Sequence, residues 1–240
     1  MTDGEWSTCQ QKAMQGEPMS AFAANGGGPA ALAGRVSFVL GLKGPCLSVT
    51  TVCSSALVAL DAGCQNLRIG RCSAAVVCGV NMISDPVGFL AYGEALAPDG
   101  KCKTFDAAAN GLGRGDASGA VVLACVGDRA QNSARVAGSG VNQDGRSASM
   151  SAPNGPSQVE LLQDVIDRAA RGSEMRQCSE THGTGTALGD PIEVGALYAV
   201  FADGGSGPCL LLGALKSRLG HTEGAAGVMG VLKAVAMLGQ

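Results

Sequence analysis

Three side chains in this 240-residue sequence invite a chemical reading together: Cys53 and the only two histidines, His182 and His221. Cys53 ends the β-branched run Leu47-Ser48-Val49-Thr50-Thr51-Val52, and Ser54-Ser55-Ala56-Leu57 follows at once as a helix start. A sulfur at a strand-to-helix turn lies beside unpaired backbone N–H groups and the positive end of the helix dipole. Such a setting favours the thiolate, which is the nucleophile. His182 lies in Glu180-Thr181-His182-Gly183-Thr184-Gly185-Thr186, and His221 in Lys216-Ser217-Arg218-Leu219-Gly220-His221-Thr222-Glu223-Gly224. Each follows a predicted strand and opens a glycine-rich turn, where an imidazole can point into a cleft. One such histidine is ordinarily a turn residue with a local hydrogen bond. Two of two in matching settings favour chemistry, and a thiol followed by two distant histidines is compatible with acyl-thioester transfer.

The bulk composition supports an enzyme-like globular chain. Hydrophobic residues make up 46% and charged residues 15%, which excludes a disordered protein. The 37 glycines imply many tight turns and close backbone approaches. Net charge is −3 with Lys and Arg scattered, so no nucleic-acid footprint is expected. The most apolar stretch, Ala225 to Leu238, is too short to span a bilayer and reads as a core helix.

Ten cysteines raise the question of a disulfide framework. The length, the lack of a signal peptide at the start, and the absence of any Asn-x-Ser/Thr sequon argue against one. Cys64, Cys78 and Cys125 sit among Val, Ala and Leu, where a thiol packs as a small hydrophobe. A reducing, cytoplasmic compartment is expected. Without a C-x-x-C pair or any close Cys/His ligand pair, no metal is expected.

Strand and helix patterns alternate along the chain, which predicts an α/β fold with a layered sheet. Helices are predicted at 29–42 (closed by Gly41), 54–69, 157–171, 190–202 and the C-terminal apolar stretch. Strands are predicted at 46–52, 73–80, 118–126, 135–141, near 177–181, and at 209–215, with 81–117 rich in loops. The 73–80 run is continuously apolar, as in a strand covered on both faces. A strand, small-residue turn and helix occur in both halves, consistent with a duplicated unit.

At this level of detail five blocks match a known family in order. GPCLSVTTVCSSALVAL resembles the nucleophile segment of β-ketoacyl synthases, particularly the ketosynthase domains of type I polyketide synthases. ALAPDGKCKTFDAAANGLGRGD, VNQDGRSASMSAPNGPSQ, ETHGTGTALGDPIEVGAL and LKSRLGHTEGAAGV are similar to that family as well. The resemblance covers about residues 29–240, with 1–28 matching poorly. It divides the chain into a nucleophile half, about 29–130, and a histidine half, about 131–240.

The resemblance implies a thiolase-like fold of α-β-α-β-α layers, expected here to be incomplete at both ends. It implies a decarboxylative Claisen condensation. Cys53 would carry the acyl chain as a thioester, while His182 and His221 would hydrogen-bond the thioester carbonyl of a malonyl-type extender as carbon dioxide leaves. Thr184 and Thr186 match positions that contact the phosphopantetheine arm, and Lys216 matches a lysine that organises the site electrostatically. No cofactor is expected to bind directly, because the substrates ride on the phosphopantetheine of an acyl carrier protein. That carrier is the implied partner, with a homodimer formed through residues 46–52.

Some positions depart from the family pattern. Thr50 replaces an acidic residue, Val52 an alanine, Ala56 a serine, and Arg218 an asparagine. Val52 would narrow the acyl pocket, and Arg218 adds charge near a histidine. Asp190 and Glu193 of the GDPIE run are read as structural, fixing their turn. The alternatives are a fatty-acid-synthase-type ketosynthase and a non-catalytic truncated fragment. A thiolase is disfavoured by the GHTEGAAG block. A chain-length factor would have lost Cys53, and a non-elongating ketosynthase the second histidine.

Overall fold

The computed structural model describes residues 28–84, 86–125, 132–169, 178–202 and 209–239. The expectations for 1–27, and for the ends of the predicted elements at 126, 170–171 and 177, lie outside the described residues. The chain forms two compact units. Of the described residues, one unit comprises those from 28 to Gly93, 115–125 and Thr222–Met229; the other comprises Glu94–Arg114, those between 132 and His221, and 230–239.

In the first unit, helix α1 (Pro29–Leu40) starts with proline in its first turn and stops at Gly41, whose φ of 65° is left-handed. The N–H of Leu42 then reaches back to the Ser37 carbonyl at 2.9 Å. Residues 46–51 form no strand, contrary to the predicted one. A strand needs a neighbouring strand to pair with, and none pairs with this segment among the described residues. Its tie is a hydrogen bond from Ser48 Oγ to the Pro29 carbonyl, 2.6 Å.

A 3-10 turn (Val52–Ser54) follows and leads directly into helix α2 (Ser55–Arg68). Ala56, Leu60, Cys64 and Leu67 are buried at helical spacing, giving α2 one apolar face. That face packs on strand β1 (Ala74–Asn81) and also meets β2 (Ala117–Ala124). The two strands pair antiparallel from Ala74 opposite Ala124 to Asn81 opposite Ala117. β1 is not covered on both faces: Val77 is 4% exposed, whereas Val76 is 42% and Val80 57% exposed. Its burial alternates because α2 and the 3-10 turn Glu223–Ala225 cover the same face. The 81–117 region also contains a short helix, α3 (Val87–Tyr92), and a 3-10 turn, Gly93–Ala95.

In the second unit, helix α4 (Gly155–Ala169) packs on helix α5 (Gly189–Phe201). Strand β3 (Cys178–Glu180) runs parallel to β4 (Leu211–Gly213), with Glu180 opposite Gly213. Residues 135–141 form no strand. They follow α4 closely instead, since a Cβ added at Gly138 would lie 2.8 Å from the Val165 carbonyl oxygen. Helix α6 (Lys216–Leu219) comes soon after β4, and helix α7 (Ala226–Leu238) belongs to the first unit up to Met229 and to the second from Gly230. No helix among the described residues is long and apolar enough to cross a membrane.

Candidate active site

The second unit holds both histidines. Strand β3 ends at Glu180, and Thr181 anchors the exit: its N–H and its hydroxyl each reach the Gly213 carbonyl at 2.8 Å. The next two N–H groups, of His182 and Gly183, donate to Glu193 Oε1 and Oε2 at 2.5 and 2.8 Å. Asp190 fixes the far side of the loop, accepting from Gly185 N at 3.1 Å and from Phe105 N at 2.8 Å. Gly183 has φ of 47°, and a Cβ there would lie 2.6 Å from Thr104 Cγ2. Only glycine combines that conformation with that approach. Thr104 completes the cradle by donating its hydroxyl to the Gly183 carbonyl at 2.6 Å.

Thr184 and Thr186 stand on this loop with their hydroxyls 3.2 Å apart. Thr184 is buried, and Thr186 Oγ1 accepts the N–H of Gly189 at 3.2 Å. His221 is held by its backbone, whose N–H donates to the Gly113 carbonyl at 2.5 Å. Its ring meets that of His182 edge to face, with centroids 5.6 Å apart and planes at 90°. Lys216 opens α6, five residues before His221.

The electrostatics keep both rings uncharged. His221 is 1% exposed. Desolvation lowers its pKa to about 3, helped by His182 and then by the Lys216 ammonium. His182 is also lowered, to about 4, first by desolvation and then by Lys216, with Asp190 opposing. His182 is exposed, whereas His221 is buried. A neutral imidazole offers one N–H donor and one lone pair, and it can hydrogen-bond a carbonyl without bringing a full charge.

Cys53 belongs to the first unit. It occupies the middle of the 3-10 turn, partly buried, and is in no disulfide. The two serines that follow Cys53 lock the turn. Ser54 Oγ donates to the Thr51 carbonyl at 2.9 Å, Ser55 Oγ donates to the Val52 carbonyl at 2.7 Å, and Thr51 N–H donates to Ser55 Oγ at 2.8 Å. Val52 has φ of 54°, a left-handed conformation that is strained for a β-branched residue. The turn packs on Glu223–Ala225, which begins two residues after His221 in the chain.

Residue types alone did not reveal Thr104, Gly113 or Phe105 as supports. Their partners lie 79 residues or more away for Thr104 and Phe105, and no local pattern encodes such a pairing. The detectable signal was the GDPIE run, whose two carboxylates supply four of the loop's contacts.

Known proteins with similar sequences and structures identify the family. Residues 1–127 match the family model for the β-ketoacyl synthase N-terminal domain, and residues 133–240 match its C-terminal domain. The chain is 44% identical over 227 residues to mycoketide-CoA synthase of Mycobacterium tuberculosis, covering 91% of this chain and 6% of that protein. It is 43% identical over 211 residues to polyketide synthase GfsA of Streptomyces halstedii, covering 85% of this chain and 3% of that protein. Among solved structures, the ketosynthase from module 6 of the bacillaene synthase of Bacillus subtilis 168 superposes with a TM-score of 0.84 at 37% identity. It is matched over 91% of this chain and 41% of that one. The oxazolomycin ketosynthase domain OzmH KS7 of Streptomyces albus JA3453 gives a TM-score of 0.88 at 32% identity, over 99% of this chain and 41% of that one. The chain therefore spans about two fifths of the solved ketosynthases, and it belongs to the β-ketoacyl synthase family, with the thiolase-like fold of its ketosynthase neighbours.

Proposed function

We propose that this chain carries the reaction centre of a condensing enzyme in polyketide chain elongation. Cys53 is the acyl-carrying nucleophile, His182 and His221 are the paired donors to the extender, and Lys216 organises the charge around them. Thr184 and Thr186 contact the phosphopantetheine arm. In the loading step the Cys53 sulfur attacks the thioester carbonyl of an acyl group, the carbonyl–carrier sulfur bond breaks, and the departing carrier thiolate takes up the proton lost by the Cys53 thiol. In the second step a malonyl-type extender loses its terminal carboxylate as carbon dioxide. The electron pair of the broken C–C bond becomes an enolate on the thioester, where His182 and His221 donate hydrogen bonds. The enolate carbon then attacks the acyl–Cys53 carbonyl, and the collapse of that intermediate returns the Cys53 thiolate and releases a β-ketoacyl thioester.

The observation that carries this reading is the perpendicular pair of imidazoles, 5.6 Å apart, with His221 buried and His182 exposed. Two neutral donors of this kind stabilise charge that develops only in the transition state, where binding accelerates a reaction. Membership of the β-ketoacyl synthase family supports assigning Cys53 to the same reaction. The relatives named as polyketide synthases favour that context over fatty-acid synthesis.

An acyl carrier protein is the partner, its phosphopantetheine delivers both substrates, and the cytoplasm is the compartment. A homodimer forms through residues 46–52. These residues pair with no strand among the described residues, and Leu47 is 61% exposed.

The test is acylation of the 240-residue chain with a short acyl thioester, mapped by peptide mass spectrometry, followed by malonyl-carrier addition. Cys53 is expected to load ahead of the exposed Cys46, Cys78 and Cys125. His182→Ala and His221→Ala are expected to keep loading and to lose decarboxylation by roughly 100-fold or more. Acylation of Cys53 no faster than of those exposed thiols would leave a non-catalytic fragment as the better description.

A further inference from the structure

We propose that Glu180 and Lys233, which take no part in that chemistry, form the positioning device that holds the start of α6 against the His182 loop. Glu180 ends β3 opposite Gly213, the end of β4. Its carboxylate spans the two exits: Oε1 accepts the N–H of Leu215 at 2.6 Å, and Oε2 accepts the Lys233 ammonium from α7. The next residue on one side is Thr181, which precedes His182; the next on the other is Lys216. One carboxylate therefore sets the spacing between the strand that delivers His182 and the helix that delivers Lys216.

The surroundings are built for this pair. The Glu180 and Lys233 side chains are 17% and 28% exposed, so their charges are largely withdrawn from water and depend on each other. Two glycines make room for them. A Cβ at Gly213 would lie 2.7 Å from Lys233 Nζ and 3.0 Å from Glu180 Oε2, and one at Gly230 would lie 3.3 Å from Glu180 Cγ.

The device is a positioning one because it acts through Lys216. Lys216 holds both imidazoles down, Asp190 raises His182, and His182 lowers His221. Releasing α6 moves that ammonium away, and the histidines then titrate higher. Loss of the Glu180 charge alone would act in the opposite sense and make them titrate lower. The direction of the change thus separates repositioning from a plain charge effect.

The experiment follows the histidine ring signals by NMR from pH 7 downward in the parent chain, Glu180→Gln, Glu180→Asp and Lys233→Arg. Only two histidines exist, so His182→Gln assigns both signals. Glu180→Asp keeps the charge but is one methylene short of bridging Leu215 and Lys233, and it decides the matter if Glu180→Gln does not fold. Both Glu180 variants are expected to raise the histidine pKa values by roughly half a unit or more and to slow extender decarboxylation about tenfold or more. Lys233→Arg is expected to titrate like the parent. Folded Glu180 variants whose histidines titrate as in the parent, or lower, would overturn the proposal. The inference rests on the proposed condensation only for the turnover readout. A titration shift in a chain that never decarboxylates would sink the reaction and leave the positioning role standing.

Discussion

Glu193 holds His182 by the backbone and not by the ring: its carboxylate accepts the N–H groups of His182 and Gly183 at 2.5 and 2.8 Å. The imidazole is thus located through the main chain, which leaves its nitrogens to face a substrate. Charge-assisted bonds of this type are the stronger class.

Glu193→Gln keeps one acceptor and turns an amide N–H₂ toward the other donor. Leaving a backbone N–H without its acceptor is expected to cost about 2 kcal/mol, read as a lowered urea midpoint at unchanged slope. Decarboxylation should fall at least tenfold as the ring loses its fixed place.

The two histidines set an acid limit on stability. Both pKa values lie below the ordinary 6.5, at about 4 for His182 and about 3 for His221. The unfolded chain therefore binds protons first as pH falls, and the folded state loses ground. Their contribution is complete above about pH 6.5 and should decline progressively towards pH 4 and below. Urea midpoints measured across that window check this. In His221→Gln the slope against pH is expected to be shallower, because the more buried ring no longer contributes.

Which parts of this architecture the residues announced follows from the range of the forces involved. α1 was legible because Pro29 and Gly41 punctuate it locally. The histidine turns were legible because glycine and carboxylate spacing is short-range information. The segments at 46–52 and 135–141 have strand-like composition but no ladder. A strand exists only with a partner, and composition does not say whether one is present. The apolar run of β1 suggested cover on two faces, yet cover depends on what packs there. Thr104 and Phe105 were silent because their partners, Gly183 and Asp190, are reached only after folding.

Val52 offers a test of strain beside the proposed nucleophile. It has φ of 54° and is 62% exposed, so its side chain contributes little burial while its backbone is held in the left-handed region. Val52→Gly removes a steric penalty of about 1–2 kcal/mol but adds freedom to the unfolded chain, so a net gain of about 0.5 kcal/mol is expected. The same freedom loosens the turn that presents Cys53. Acyl loading should slow several-fold while the urea midpoint rises, a split that a purely structural role would not produce.

Two glycines of opposite setting separate close packing from helix propensity. In β1, a Cβ at Gly79 would lie 2.6 Å from Val228 Cγ1 and 3.0 Å from Ala225 Cα. The side chain of Val228 can shift, but the Ala225 backbone belongs to the turn on which the Cys53 turn packs. Gly79→Ala is therefore expected to cost about 1–3 kcal/mol and to slow acyl loading as the turn is displaced. In α5, a Cβ at Gly195 meets nothing within 4 Å, and its φ is not left-handed. Gly195→Ala should stabilise by about 0.5–1 kcal/mol with loading unchanged. Thermal or urea unfolding of the two variants, read beside acylation rates, checks the pair. Equal effects at both positions would mean that the β1 approach is looser than these distances require.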